Sequence, residues 1–227
     1  QAMLMIDSVL IDQSRLIAQP NLNSFGQFPA EYGVVVENDL VFDMQSNETL
    51  SFGTQLGSVF LPYPFWPRVP VVDEKVAGNV STALMPWASS LGITEDARTR
   101  IDVIPLVETT EFASIDFNYG DVRPNSPTLN DPVGINQVQS LMGVAISERQ
   151  NSPDDSSFRL VVFGTSRWLM DGITDRSQQN LAMGLNLVDW LAQEDALASV
   201  RSKAVTARDL LFNSTTHENV ARWSNVA

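Results

Sequence analysis

Two apolar runs end in residues that can do chemistry. "FRLVVFGTSRW" (158–168) closes on a glycine, a threonine, a serine and an arginine, and "AMLMID" (2–7) closes on an aspartate. Each run reads as a buried β-strand, and open α/β sheets bind ligands outside the carboxyl ends of their strands. If the two strands are neighbours, Asp7, Thr165, Ser166 and Arg167 line one crevice. Arg167 would then offer a fixed charge to an anionic ligand. The competing role is architectural: Gly164 makes a tight turn, while Thr165 and Ser166 satisfy loop backbone groups.

Ser166 does not read as a catalytic nucleophile. A nucleophile elbow has the form G-x-S-x-G, and Trp168 stands where "GTSRW" needs its second glycine. A serine also needs a base. The sole histidine, His217, sits in the polar stretch "NSTTHEN" near the C-terminus, and the two lysines, Lys75 and Lys203, carry no motif. With no cysteine, thiolate metal sites, cysteine nucleophiles and disulfides are excluded together. Only oxygen ligands remain for a metal, and "SPDDSS" and "NDPVG" lack the calcium-loop spacing, so no metal site is expected. Neither G-x-x-x-x-G-K-[ST] nor G-x-G-x-x-G occurs, so no cofactor is expected. "FLPYPFWP" gathers Tyr63, Phe65 and Trp66. Exposed, these rings would form a partner surface or a sugar- or peptide-binding groove; buried, they would roof the core.

The 227 residues carry a net charge of −13 and are 44% hydrophobic. An acidic balance of this size argues against nucleic acid, which needs a basic face, and against docking on anionic lipid. No apolar stretch reaches the roughly 18 residues of a membrane span, and no signal pattern opens the chain.

The elements that must hold these side chains follow from patterning. Strands are expected at 2–7, Val34–Val36, Leu40–Asp43, 100–109, 111–117, 140–149 and 158–164. The first begins almost at residue 1, so the domain's natural start is expected upstream. Four prolines in 57–72 suggest an edge strand or extended loop, and 79–91 suggests a short helix. Residues 118–137 read as a long loop, "ASVRSK" as a last strand and "TARDLLF" as a short helix. The clearest helix is 177–193, with Ser177 as its N-cap. Leu181, Leu185, Val188 and Leu191 form its apolar stripe, widened by Leu187 and Trp190, and Asn186, Asp189 and Gln193 lie opposite. Strands alternating with helices predict an α/β layered sandwich with a mainly parallel central sheet and a Pro-rich, antiparallel or loop-rich excursion over 50–140.

"RLVVFGTSRWLMD", then "NLAMGLNLVDWLAQEDALASVRSK", then "ARDL", resembles the C-terminal part of the auxiliary component of ABC-type transport systems, a family that includes gliding-motility proteins of Bacteroidetes. Asn180 leads the helix, "NLVDWL" (186–191) matches its end and "VRSK" (200–203) the following strand. "MLMIDSV" and "EYGVVVENDLVFD" look like earlier segments of that family. The resemblance covers most of the chain and is weakest over 50–140. It implies a glutamine-amidotransferase-like sandwich without a catalytic cysteine, spanning 1–227 as one domain. It also implies an extracytoplasmic, periplasmic location, anchoring by membrane segments outside these residues, permease and ATPase partners, and a cell-envelope ligand. Thr165 stands where the family often carries an acid, which argues against a cation there. The expected function is therefore a non-enzymatic accessory domain. The alternatives are a sugar- or peptide-binding module built on 63–66 and a serine hydrolase on the same sandwich.

Overall fold

The computed structural model describes residues 1–22, 25–55, 57–130, 137–149 and 158–192. The expected strand "ASVRSK", the helix "TARDLLF", Lys203 and His217 lie outside the described residues.

The chain is mostly β, which corrects the expected α/β sandwich. Among the described residues 43% lie in strands and 21% in helices. The main sheet joins β1 (Ala2–Met5), β10 (Ile101–Glu108), β12 (Leu141–Glu148) and β13 (Arg159–Phe163) in the order β1-β13-β12-β10. Only β1 and β13 run parallel, in the register Ala2↔Leu160 to Met5↔Phe163; the other pairs are antiparallel. The reason lies in the connections. A parallel pair needs a crossover of about a dozen residues, usually a helix. Three of the four described α-helices are single turns: α1 (Glu74–Ala77), α2 (Pro127–Asn130) and α3 (Asp171–Thr174). Only α4 (Gln178–Leu191) is long enough to serve.

The middle of the chain is built from small antiparallel sheets. It supplies two-stranded antiparallel sheets from β4 (Val34–Val36) with β9 (Leu91–Ile93), and from β5 (Leu40–Asp43) with β11 (Ala113–Asp116). The hairpin of β2 (Val9–Asp12) and β3 (Ile17–Pro20) precedes them. A three-stranded sheet joins β6 (Asn47–Thr54), β7 (Gly57–Pro70) and β8 (Thr82–Leu84). The register of β7 jumps between Glu48↔Tyr63 and Asn47↔Pro67, which takes Pro64 out of the β6 ladder and sets Pro67 at the irregularity. The short helix expected over 79–91 is absent: β8 and the start of β9 occupy it.

β13 alternates its side chains between two cores. Val161 and Phe163 pack with Trp168, Met183 and Leu187, while Leu160 and Val162 pack with Val34, Val36 and Leu91. β1 lies at the sheet's edge, with Met3 and Leu4 partly buried on opposite faces.

Helix α4 begins where the sequence places it, but it is rotated about its axis. Leu181, Leu185 and Val188 are 50%, 46% and 55% exposed, whereas Met183, Leu187 and Leu191 are buried. Asn180, Asn186 and Asp189, expected to be polar surface in two cases, are buried as well. Hydrogen bonding decides the rotation. Asn180 Oδ1 accepts from Leu84 N–H (2.9 Å), and its Nδ2 donates to the Leu84 and Trp168 carbonyls (both 2.8 Å). Asn186 Nδ2 donates to the Ala77 carbonyl at 2.8 Å. These amides close the bare edge of β8 and the end of α1, and an apolar side chain would leave those backbone groups unsatisfied. Ser177 occupies the N-cap position, yet its hydroxyl makes no capping bond and is buried without a partner.

Candidate functional site at the strand ends

The parallel pair continues one residue past β1, where Ile6 N–H donates to the Phe163 carbonyl (3.0 Å). That bond delivers Asp7 to the residues after β13, where the Asp7, Thr165 and Ser166 side chains meet and Arg167 joins through its backbone N–H. Ser166 N–H donates to Asp7 Oδ1 (2.9 Å), and the Ser166 hydroxyl donates to Asp7 Oδ2. Thr165 is fully buried, with Oγ1 3.0 Å from the Pro86 carbonyl and 3.3 Å from Asp7 Oδ1. The same Oγ1 accepts from Arg167 N–H at 3.2 Å.

Gly164 is required by packing. Its N–H donates to the Met142 carbonyl (3.1 Å) and its carbonyl accepts from Ser89 N–H (2.8 Å). A Cβ there would stand 2.0 Å from Ser89 O and 2.9 Å from Ser89 C, both backbone atoms. The segment 85–90 is thus pressed onto the strand end. Nearby, Asp39 is fully buried and accepts from Ser90 N–H (2.8 Å) and the Ser90 hydroxyl (2.6 Å). Burial pushes its carboxyl above the ordinary value, against the pull of those bonds.

Trp87 lies in the same segment with φ 48°, a left-handed conformation that is strained for a bulky residue. Its N–H donates to the Phe65 carbonyl (2.8 Å), and its Nε1–H donates to Tyr63 Oη (3.0 Å). Tyr63 in turn donates to the Val122 carbonyl, and burial pushes its hydroxyl pKa up. The Arg167 guanidinium sits 5.2 Å from the Trp87 ring centroid, a cation–π contact. Among the described residues no carboxylate is within ion-pair distance of Arg167.

Tyr63 and Phe65 are fully buried in a core with Phe42 and Leu40, and Trp66 is partly buried, edge-on to Trp87 at 5.1 Å. Tyr63 and Phe65 therefore belong to the core, and Trp66 lies at its margin. Sequence reasoning missed Trp87, because a left-handed tryptophan has no composition signal. It also missed Asp39, which lay in a short polar break between two apolar runs.

The chemistry open to this cluster is narrow. Asp7 is the carboxylate within reach of Ser166, but both its oxygens already accept hydrogen bonds. The amides of Gly164, Ser166 and Arg167 have internal acceptors, so they are not available as an oxyanion hole. Among the described residues no three histidine, aspartate or glutamate side chains gather to hold a metal, and no helix is long and apolar enough to cross a membrane.

No protein-family model matches the chain. A protein of Borreliella burgdorferi, described as "Uncharacterized protein", is 22% identical over 200 residues, covering 83% of this chain and 38% of that protein. The chain therefore spans well under two thirds of the relative's length.

Proposed function

We propose that this chain is a non-catalytic binding domain, an accessory to an ABC-type transport system on the extracytoplasmic side of the cytoplasmic membrane. The observation that carries the non-catalytic half is the saturation of the strand-end cluster. Asp7 holds Ser166 by both its amide and its hydroxyl, and Thr165 holds the next amide, so the polar groups are spent on closing the junction. What is left to meet a partner is the Arg167 guanidinium over Trp87, suited to an anionic group on a permease subunit or a cell-envelope polymer. Support for the transporter affiliation is the sequence resemblance over 158–203. The partners are then the permease and ATPase subunits, and the anchor is a membrane segment outside these residues.

The hydrolase reading has one observation in its favour, the contact between the Ser166 hydroxyl and Asp7. Two measurements separate the readings. Affinity purification of the full-length protein from detergent-solubilised membranes is expected to recover an ABC ATPase and a permease, and recovery to fall in Arg167→Ala. Turnover of activated esters that disappears in Ser166→Ala would instead establish the hydrolase and sink the proposal.

A further inference from the structure

The free edge of β9 and the Val103–Pro105 part of β10 line one groove. In the β4–β9 pair, Glu37 N–H donates to the Ser90 carbonyl and Thr94 N–H to the Gly33 carbonyl, both at 3.0 Å. With Val35 opposite Gly92, antiparallel alternation makes that the mutually bonded pair. It follows that the N–H and C=O groups of Leu91 and Ile93 turn away from β4. In the β10–β12 pair, Arg149 N–H donates to the Arg100 carbonyl (3.1 Å), with Asp102 opposite Ser147 and Ile104 opposite Ala145. The same alternation turns the backbone of Val103 and Pro105 away from β12. Among the described residues no strand pairs with this edge of β9. The outer edge of β10 is occupied further on, where Val71 bridges Val107 and Val72 N–H donates to the Leu106 carbonyl at 2.9 Å, so only its Val103–Pro105 part is open.

Leu91, Ile93, Val103 and Pro105 all line a groove of about 540 Å³. Its side-chain lining is mainly apolar, completed by Ile115, Val138 and Leu141, with Arg98 and Glu108 as its charged members. Arg98 and Glu108 are not paired with each other, and Glu108 accepts only a long bond, 3.3 Å, from Gln139 Nε2.

We propose that this groove binds an extended peptide segment of a partner protein, which adds as a strand to the free edge of β9. The backbone fixes the ligand class. Leu91 and Ile93 present two donors and two acceptors two residues apart, about 7 Å along the strand, the repeat of another β-strand. β9 is the template because Pro105 has no N–H, so β10 gives a poorer ladder and serves as the far wall. Apolar lining selects a segment whose alternate side chains are apolar. Arg98 and Glu108 favour one that carries an acid and a base. The groove includes none of Asp7, Thr165, Ser166 and Arg167, so this inference stands whether or not the transporter reading does.

The test uses the full chain and capped, fluorescein-labelled heptapeptides of alternating valine and threonine, with lysine or glutamate at either end in all four combinations. Fluorescence anisotropy is expected to show saturable binding, strongest for peptides carrying one lysine and one glutamate. N-methylation of two alternate peptide amides should weaken it about tenfold or more, because only backbone pairing needs those N–H groups. Val138→Arg, at a side chain 43% exposed, should block the groove without lowering the melting temperature. In hydrogen exchange, the Leu91 and Ile93 amides should be slowed only when peptide is present. The proposal is overturned if none of the four peptides binds by about 1 mM, or if the N-methylated peptide binds equally well. It is also overturned if those two amides are already protected in the peptide-free chain, since its own residues would then fill the groove.

Discussion

Asn180→Ala tests the rotation of α4 directly. The asparagine is fully buried and makes three hydrogen bonds, two to the Leu84 backbone and one to the Trp168 carbonyl. Truncation leaves one N–H and two carbonyls in the core without those partners. At about 1–2 kcal/mol for each, the expected loss is about 3–6 kcal/mol, less whatever an entering water restores. Leu181, the adjacent residue, is half exposed. Its truncation removes only part of a leucine's burial and gains slightly in helix propensity, so the expected cost is below about 1 kcal/mol. Asn180→Asp should be as damaging as alanine, because it keeps the acceptor for Leu84 N–H but loses both donations and buries a charge. The assay is urea unfolding at fixed pH, followed by circular dichroism and by tryptophan fluorescence, for each variant. If Leu181→Ala costs more than Asn180→Ala, the helix presents the other face to the core and the reasoning fails.

Other outcomes follow from the same geometry. Gly164→Ala sets a methyl against the Ser89 backbone, so it should destabilise by more than about 2 kcal/mol; an unchanged melting temperature would show that segment 85–90 yields easily. Ser166→Ala removes one bond to a carboxylate and should cost about 1–3 kcal/mol, read by the same unfolding assay. Asp39 has a folded-state pKa raised above its ordinary 3.8 by burial, so its stabilising share is present below that value and lost as pH rises through the raised one. Asp39→Asn, which keeps an acceptor for Ser90 N–H, should therefore gain on the parent chain as pH rises from the ordinary carboxylate value through the raised one and hold a constant difference above it; a lead that is largest in acid would reverse the sign and refute the argument.

Local strands were legible because β-branched runs such as "RLVV" and "VVV" specify extended backbone wherever they occur. Seven expected strands are found within a residue or two of their places. Sheet direction was not legible, because it depends on what connects the strands: the helix expected over 79–91 is absent, and the described α-helices before α4 are single turns. The face of α4 was misjudged because Leu181, Leu185 and Val188 recur at helical spacing while two asparagines, polar by composition, satisfy backbone groups that only the fold reveals. At the strand ends the meeting of Asp7 with Thr165, Ser166 and Arg167 was legible, since strands that neighbour each other bring their ends together. The use of those residues on one another was not, because hydrogen-bond saturation is a property of geometry. The groove between β9 and β10 had no sequence signal: an unpaired edge is defined by which strand is missing beside it.

The pairing of β1 with β13 has a consequence for how the polypeptide is made. The partners stand roughly 160 positions apart, so closing that ladder carries a large loop-entropy cost until the intervening sheets have collapsed. During synthesis the first strand leaves the ribosome long before its mate exists. Its pairing with β13 is therefore expected to form late, after the intervening sheets.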